Sequence, residues 1–313
     1  ALVIFSAKEA LYKAQYPWSR QFVGFQAVRV SLDGNGSLQN SQIALTTVRV
    51  TRMTYAAAST ELESRFAAIA AMLQRFRERR MQAGAAGIDL PEVSVRLDGD
   101  DILIRPLERG GSRQMVAEAM MAAGEAVAEF AISNGIVIPY ANQPPPDEVQ
   151  TPDSMSGMFA YRKLFKPSRM AMEPERHFGL GLDIYARATS PLRRYSDLVV
   201  HQQLRAHVLG RDKLGADELL ERTAALDAAG STVRRAERLS NLHWKLVYLS
   251  RNPGWEGEAI VVALEERKAI VIVPELALET RIRLSSDFSL GQKLRLGVRE
   301  VDLPAQTAYF RVL

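Results

Sequence analysis

Residues 185–209 read YARATSPLRRYSDLVVHQQLRAHVL, and this run constrains what the rest of the 313-residue chain can be. Ser190 and Pro191 make a helix start: a hydroxyl can accept from the free amides, and proline at the first helical position loses no hydrogen bond. A helix is therefore expected to begin there. Leu192, Tyr195, Leu198 and Val199 recur at three- and four-residue spacing as an apolar stripe, with Arg193, Arg194, Asp197 and His201 off it. Two arginines in a first turn oppose the helix dipole at about 0.3–1 kcal/mol each, so something other than stability favours them. Free amides joined by two guanidinium forks suit a phosphate or a carboxylate. Asp197, four residues after Arg193, is placed to hold that arginine as a helical ion pair. The plain alternative is a solvated basic turn.

The rest of the composition narrows the partner. With 47% hydrophobic and 24% charged residues, the chain can bury one large core and a smaller domain. It has no cysteine, which excludes disulfides and thiolate chemistry and fits a reducing cytoplasmic location. No apolar run approaches the ~20 residues of a membrane helix, so no membrane partner is expected. The formal charge is +4. Clusters say more: Arg75, Arg77, Arg79 and Arg80; Arg162, Lys163, Lys166 and Arg169; Arg193 and Arg194; Arg234, Arg235 and Arg238. Four such clusters favour a polyanion over four unrelated solvated faces.

Taken in order, residues 22–55 alternate as two strands around the turn Asp33 to Gly36, and Ser59 to Met81 has helical period, stopped by Gly84 and Gly87. A second hairpin turns at Asp98 to Asp101. Its three carboxylates are read as a turn rather than a metal site. Ser112 is expected to cap a helix closed by Gly135, in which Glu118 borders the apolar stripe and is either a buried partner to an arginine or a ligand to substrate groups. Residues 143–154 read as a surface linker, and Asp217 to Ser250 as a long helical region broken near Gly230. Pro253 and Gly254 mark a boundary. Beyond them five short strands, at Trp255, Lys268, Thr280, Lys293 and Thr307, suggest an OB-type barrel.

The string ARATSPLRRYSDLVVHQQL resembles the helix signature of the ribonuclease II family, Thr-Ser-Pro-hydrophobic-Arg-Arg/Lys-Tyr followed by Asp and His. The resemblance puts the arginine that contacts the scissile phosphate at Arg193, with Tyr185, Thr189, Ser190 and Arg194 beside it in the RNA site. A second match, to the helix Val-Glu-Glu-x-Met-x-x-Ala-Asn, sets Glu118 at the second glutamate but has Ala117 and Gly124 in place of the first glutamate and the asparagine. A third, Arg-x-x-x-x-Glu-Arg-x-x-x-x-x-Trp, is carried by Glu237, Arg238 and Trp244, and implies that Glu237 lies at the 3′ end of the substrate. Ile88 stands where a stacking phenylalanine is expected.

What the resemblance implies is an α+β chain: an RNB-type catalytic domain of mixed sheet and surrounding helices over 1–252, then a five-stranded OB-fold RNA-binding barrel over 253–313. The implied reaction is 3′-to-5′ hydrolysis of single-stranded RNA to nucleoside 5′-monophosphates, assisted by Mg2+. The family's aspartate cluster has no counterpart here, since no aspartate precedes Asp33. Its metal ligands are expected outside this chain, on an N-terminal part of the same gene product, and the chain is expected to start in mid-domain. The competing expectation is a non-catalytic RNA-binding relative of the same fold.

Overall fold

A computed structural model describes residues 31–32, 38–39, 60–107, 111–283 and 287–313, without the side chains of 31–32, 38–39, 60–66, 112 and 225–231. The chain divides into two compact units. The first takes Ala1–Arg77, Gly110–Tyr140 and Tyr185–Leu220; the second takes Glu78–Arg109, Ala141–Ile184 and Glu221–Leu313.

In the first unit β1 (Ser31–Leu32) pairs antiparallel with β2 (Leu38–Gln39), and the remainder of the expected first hairpin, its turn included, lies outside the described residues. Helix α1 (Thr60–Gln82) buries Leu73 and leaves Ile69 exposed. Helix α2 (Gly111–Ser133) already includes Ser112, which is thus helical rather than the cap. Its far end closes as expected: Gly135 takes a φ of +59°, and the Ile136 amide bonds back to the Ala131 carbonyl at 2.8 Å. Val127, Ala128 and Ala131 are buried apolar positions on it. Helix α4 is Tyr195–Val208, and it buries Asp197, Val199, Val200 and Gln203. The Gln203 amide, itself buried, ties this helix to the carbonyls of Val137 (2.8 Å) and Leu214 (3.0 Å).

In the second unit β3 (Val93–Asp98) and β4 (Asp101–Pro106) form the expected hairpin, with Gly99 at a φ of +60° in the two-residue turn. Short strands β5 (Tyr140–Asn142) and β6 (Arg169–Ala171) pair with each other. Between them lies α3 (Met155–Leu164), which was not expected from the sequence; Ser154 caps it by accepting from the Gly157 amide at 3.2 Å. Helix α5 (Ala216–Arg251) runs unbroken through Gly230. One glycine in a helix costs only about 1 kcal/mol against alanine, which 36 residues of helix absorb.

All five expected C-terminal strands form: β7 (Glu256–Glu265), β8 (Lys268–Val273), β9 (Leu278–Arg283), β10 (Lys293–Asp302) and β11 (Thr307–Val312). They pair antiparallel in the order β11-β10-β7-β8-β9, and β11 comes alongside β9, so the barrel nearly closes. Bulges at Val261/Ala263 and Val298/Glu300 give the curvature that closure needs. The interior holds Val261, Val271, Val273 and Leu296, together with Leu246 and Leu249 of α5. The helix thus supplies part of the barrel's core. Among the described residues no helix is long and apolar enough to cross a membrane.

Candidate nucleic-acid interface

The residues singled out around Pro191 do come together, though not in a helix start. Ser190 is followed by a turn in which its carbonyl accepts from the amides of Arg193 (3.2 Å) and Arg194 (3.0 Å), and the helix begins only at Tyr195. The reason is Asp197. Its carboxylate is fully buried and reaches back to accept the Ser190 amide at 2.8 Å. Oδ2 also takes both Nε (3.0 Å) and Nη2 (2.7 Å) of Arg194, and Oδ1 accepts from the Ser196 hydroxyl at 3.1 Å. Asp197 thus anchors the turn from inside the helix, whose N-cap is Arg194 with no side-chain cap, and its arginine partner is Arg194 rather than Arg193.

The burial pattern follows from that shift. Of the expected stripe Val199 is buried, while Leu192, Tyr195 and Leu198 are 60%, 40% and 38% exposed; the buried side is that of Asp197, Val199, Val200 and Gln203. Arg194 is drawn inward, with a second bond from Nη2 to the Thr189 hydroxyl at 3.4 Å. Arg193 is left exposed at the apex of the turn. Thr189 and Ser190 are buried, and the Ser190 hydroxyl has no hydrogen-bond partner among the described residues. His201 Nε2 lies 2.7 Å from the Ala188 carbonyl, which fixes the chain entering the turn.

Tyr185 is buried rather than open to a ligand, with its ring against Gly124 of α2. Burial pushes its phenol above the ordinary value; the nearby Arg194 and Arg187 pull it down in part, and Asp197 adds slightly to the rise. Glu118, on the same helix, is buried and has Arg77 at 3.9 Å, the buried-partner arrangement that was one of its two expectations. It lines a groove of about 360 Å³ with Leu73, Gln74 and Met115. Glu237 lies in the second unit on an exposed stretch of α5, with Arg234, Arg235 and Arg238 around it.

The basic clusters sort themselves by partner. Arg80 is buried and donates to the Leu180 carbonyl at 2.7 Å, Arg162 pairs with Glu279 at 2.8 Å, and Lys166 pairs with Asp147 at 2.6 Å. Those charges are committed to structure. Sequence reasoning missed a further basic site on the barrel. Lys268 of β8 and Arg283 of β9 face each other directly in the ladder, beside a groove of about 400 Å³ at the β9/β11 seam that Tyr309 also lines. Like charges set opposite are destabilising. Glu265, opposite Lys268 in the β7/β8 ladder, pairs with Arg281 at 3.3 Å. The guanidinium of Arg299 lies over the Tyr309 ring, 5.7 Å from its centroid. The signal available in the sequence was the recurrence of Lys/Arg at the ends of consecutive strands.

Comparison with known proteins places these features in a family. Residues 26–158 and 154–210 match the profile of the RNB domain, and residues 255–313 that of the RNase II-type exonuclease C-terminal S1 domain. An uncharacterized ribonuclease of Synechocystis is 31% identical over 302 residues, which cover 91% of this chain and 45% of the relative. The chain spans about half the length of such a relative. Among solved structures, RNase R of Mycoplasma genitalium in complex with ribose-methylated single-stranded RNA superposes with a TM-score of 0.69 at 17% identity, over 91% of this chain and 57% of the other. Yeast Ssd1, described as a pseudonuclease, gives a TM-score of 0.52 at 18% identity, over 82% of this chain and 38% of the other. Both share the fold.

Proposed function

Because the chain belongs to the RNB family, we propose that it is the nuclease part of a cytoplasmic 3′-to-5′ exoribonuclease that hydrolyses single-stranded RNA to nucleoside 5′-monophosphates. The observation that carries this reading is the division of labour at the turn: Asp197 holds Arg194 and the backbone, and Arg193 is exposed at the apex. In the reaction a water oxygen bonds to the phosphorus of the last internucleotide phosphate, and the bond to the 3′ oxygen of the penultimate nucleotide breaks. Negative charge builds on the non-bridging oxygens, and Arg193 stabilises it. Arg194 and Asp197 are positioning residues that keep the turn's shape. Residues 253–313, with Lys268 and Arg283 at the seam, hold the strand by its phosphates.

The family's nucleases use divalent metal ions, and Mg2+ is the ion we assign. The residues of this site do not make a place for it. The single carboxylate at the turn is fully buried with both oxygens already bonded, and among the described residues no group of three acidic or histidine side chains is arranged to hold an ion. No step is therefore routed through a metal here, and the ligands are assigned to carboxylates elsewhere in the gene product.

The test uses the gene product containing this chain, a 3′-tailed RNA, and Mg2+ or Mn2+. Mononucleotides should appear, and Arg193→Ala should lower their rate by about 10²–10³ with the fold intact, the cost of removing one donor to a developing oxyanion. The fold shared with a pseudonuclease favours one second reading, an RNA-binding relative without chemistry. RNA bound tightly with no mononucleotide released would select it.

A further inference from the structure

Gly124 lies in the middle of α2, where a glycine is costly unless its missing side chain is needed. Here it is needed. A Cβ at this position would lie 2.2 Å and 2.9 Å from two ring carbons of Tyr185 and 2.6 Å from the carbonyl oxygen of Ala186. One of those contacts is backbone, so no rotamer change relieves it. The Gly124 carbonyl also accepts a hydrogen bond from the Ala186 amide at 3.2 Å. The segment 185–186 therefore rests directly on the helix backbone at one point. Three residues on begins the run Thr189 to Arg194 that ends in the exposed arginine.

We infer that Gly124 is a positioning residue for the phosphate-gripping turn, acting through Tyr185 and Ala186 on where Arg193 sits. Any side chain at 124 lifts the segment from α2 and moves the turn with it, because His201, Asp197 and Arg194 tie residues 188–194 into one body. The asparagine of the resembling family pattern would do the same in this chain. Restoring that residue is thus expected to harm the protein rather than improve it. The inference rests on the proposed function for what Arg193 does, but not for the geometry.

The experiment uses the full gene product with 3′-tailed RNA, comparing Gly124→Ala and Gly124→Asn with the parent. Turnover should fall about tenfold or more in both, with KM changed less than about threefold, since the strand is still held by the barrel. In an Arg193→Lys background, Gly124→Ala should cost no further turnover. Equal losses with and without Arg193, or undiminished turnover in a folded Gly124→Asn protein, would overturn the inference. Should the helix variants not fold, Ala186→Pro removes the same anchoring bond without touching α2 and must give the same turnover loss. If the parent releases no mononucleotide, the proposed function has failed on its own. The inference is then read from RNA affinity, which Gly124→Ala must lower in the parent, within the roughly threefold range that the barrel's hold allows, and leave unchanged in the Arg193→Lys protein.

Discussion

Asp197 and Arg194 form a two-point contact in which Oδ2 of the acid receives Nε at 3.0 Å and Nη2 at 2.7 Å, while the same oxygen holds the Ser190 amide at 2.8 Å. One buried atom thereby joins a side chain, a turn and a helix start. Asp197→Ala leaves a half-buried guanidinium and a buried amide unpaired, and is expected to lower unfolding free energy by about 2–4 kcal/mol. Asp197→Asn, which can still accept from Ser190, should cost distinctly less. Urea denaturation of the two proteins decides it; equal losses would mean that the amide bond contributes nothing.

The neighbouring arginines should respond differently to deletion. Arg193→Ala touches no structural partner among the described residues and is expected to leave stability within about 0.5 kcal/mol of the parent. Arg194→Ala strands Asp197 and should cost about 1–3 kcal/mol. Thermal melts beside turnover measurements would separate the two roles. A protein in which Arg193→Ala melts as early as Arg194→Ala contradicts the assignment.

Tyr185 sets an alkaline limit. Its folded phenol has a raised pKa, so the folded state keeps the proton where the unfolded chain, with an ordinary value of 10.0, has released it. The stabilisation is complete below about pH 10 and is lost as pH rises through the folded value. Tyr185→Phe removes that titration, and its stability should fall less steeply than the parent's above pH 10. Parallel denaturation curves between pH 9 and 11 check the slope, and identical slopes would rule the residue out.

On the barrel, Lys268 opposite Arg283 sets stability against binding. Arg283→Glu replaces a repulsive cross-strand pair with an attractive one and should gain about 0.2–1 kcal/mol. The same change should weaken RNA binding and lower the slope of log affinity against log salt by about one phosphate contact. Filter binding across a salt series, paired with a melt, reads both. A stabilised protein with an unchanged slope would remove the seam from the RNA path.

Much of this was legible in the residues. The barrel was, because period-two alternation, Pro253-Gly254 and the turns between strands leave little else for residues 255–313 to form. Glycines at 84, 99 and 135 were, because each adopts the positive φ that its turn requires. The start of α4 was misplaced by four residues because the Asp197 carboxylate, seven residues on, takes the Ser190 amide and holds residues 190–194 as a turn, a long-range bond that no local signal carries. Helix α3 was missed because the proline-rich reading was carried through Ser154, whose cap on Gly157 was the available signal. The seat of Tyr185 on Gly124 joins residues 61 apart, and nothing local in either stretch announces it. Glycine in a helix was read as a departure from a pattern, when it is what admits an aromatic ring.

The floor that α5 gives the barrel, through Leu246 and Leu249, bears on how this C-terminal part can be inherited. A cassette exchanged at Pro253 would arrive in its new host with an open apolar base. Recombination that respects the protein's architecture must break the gene upstream of Leu246, so that the helical stopper travels with the strands it seals.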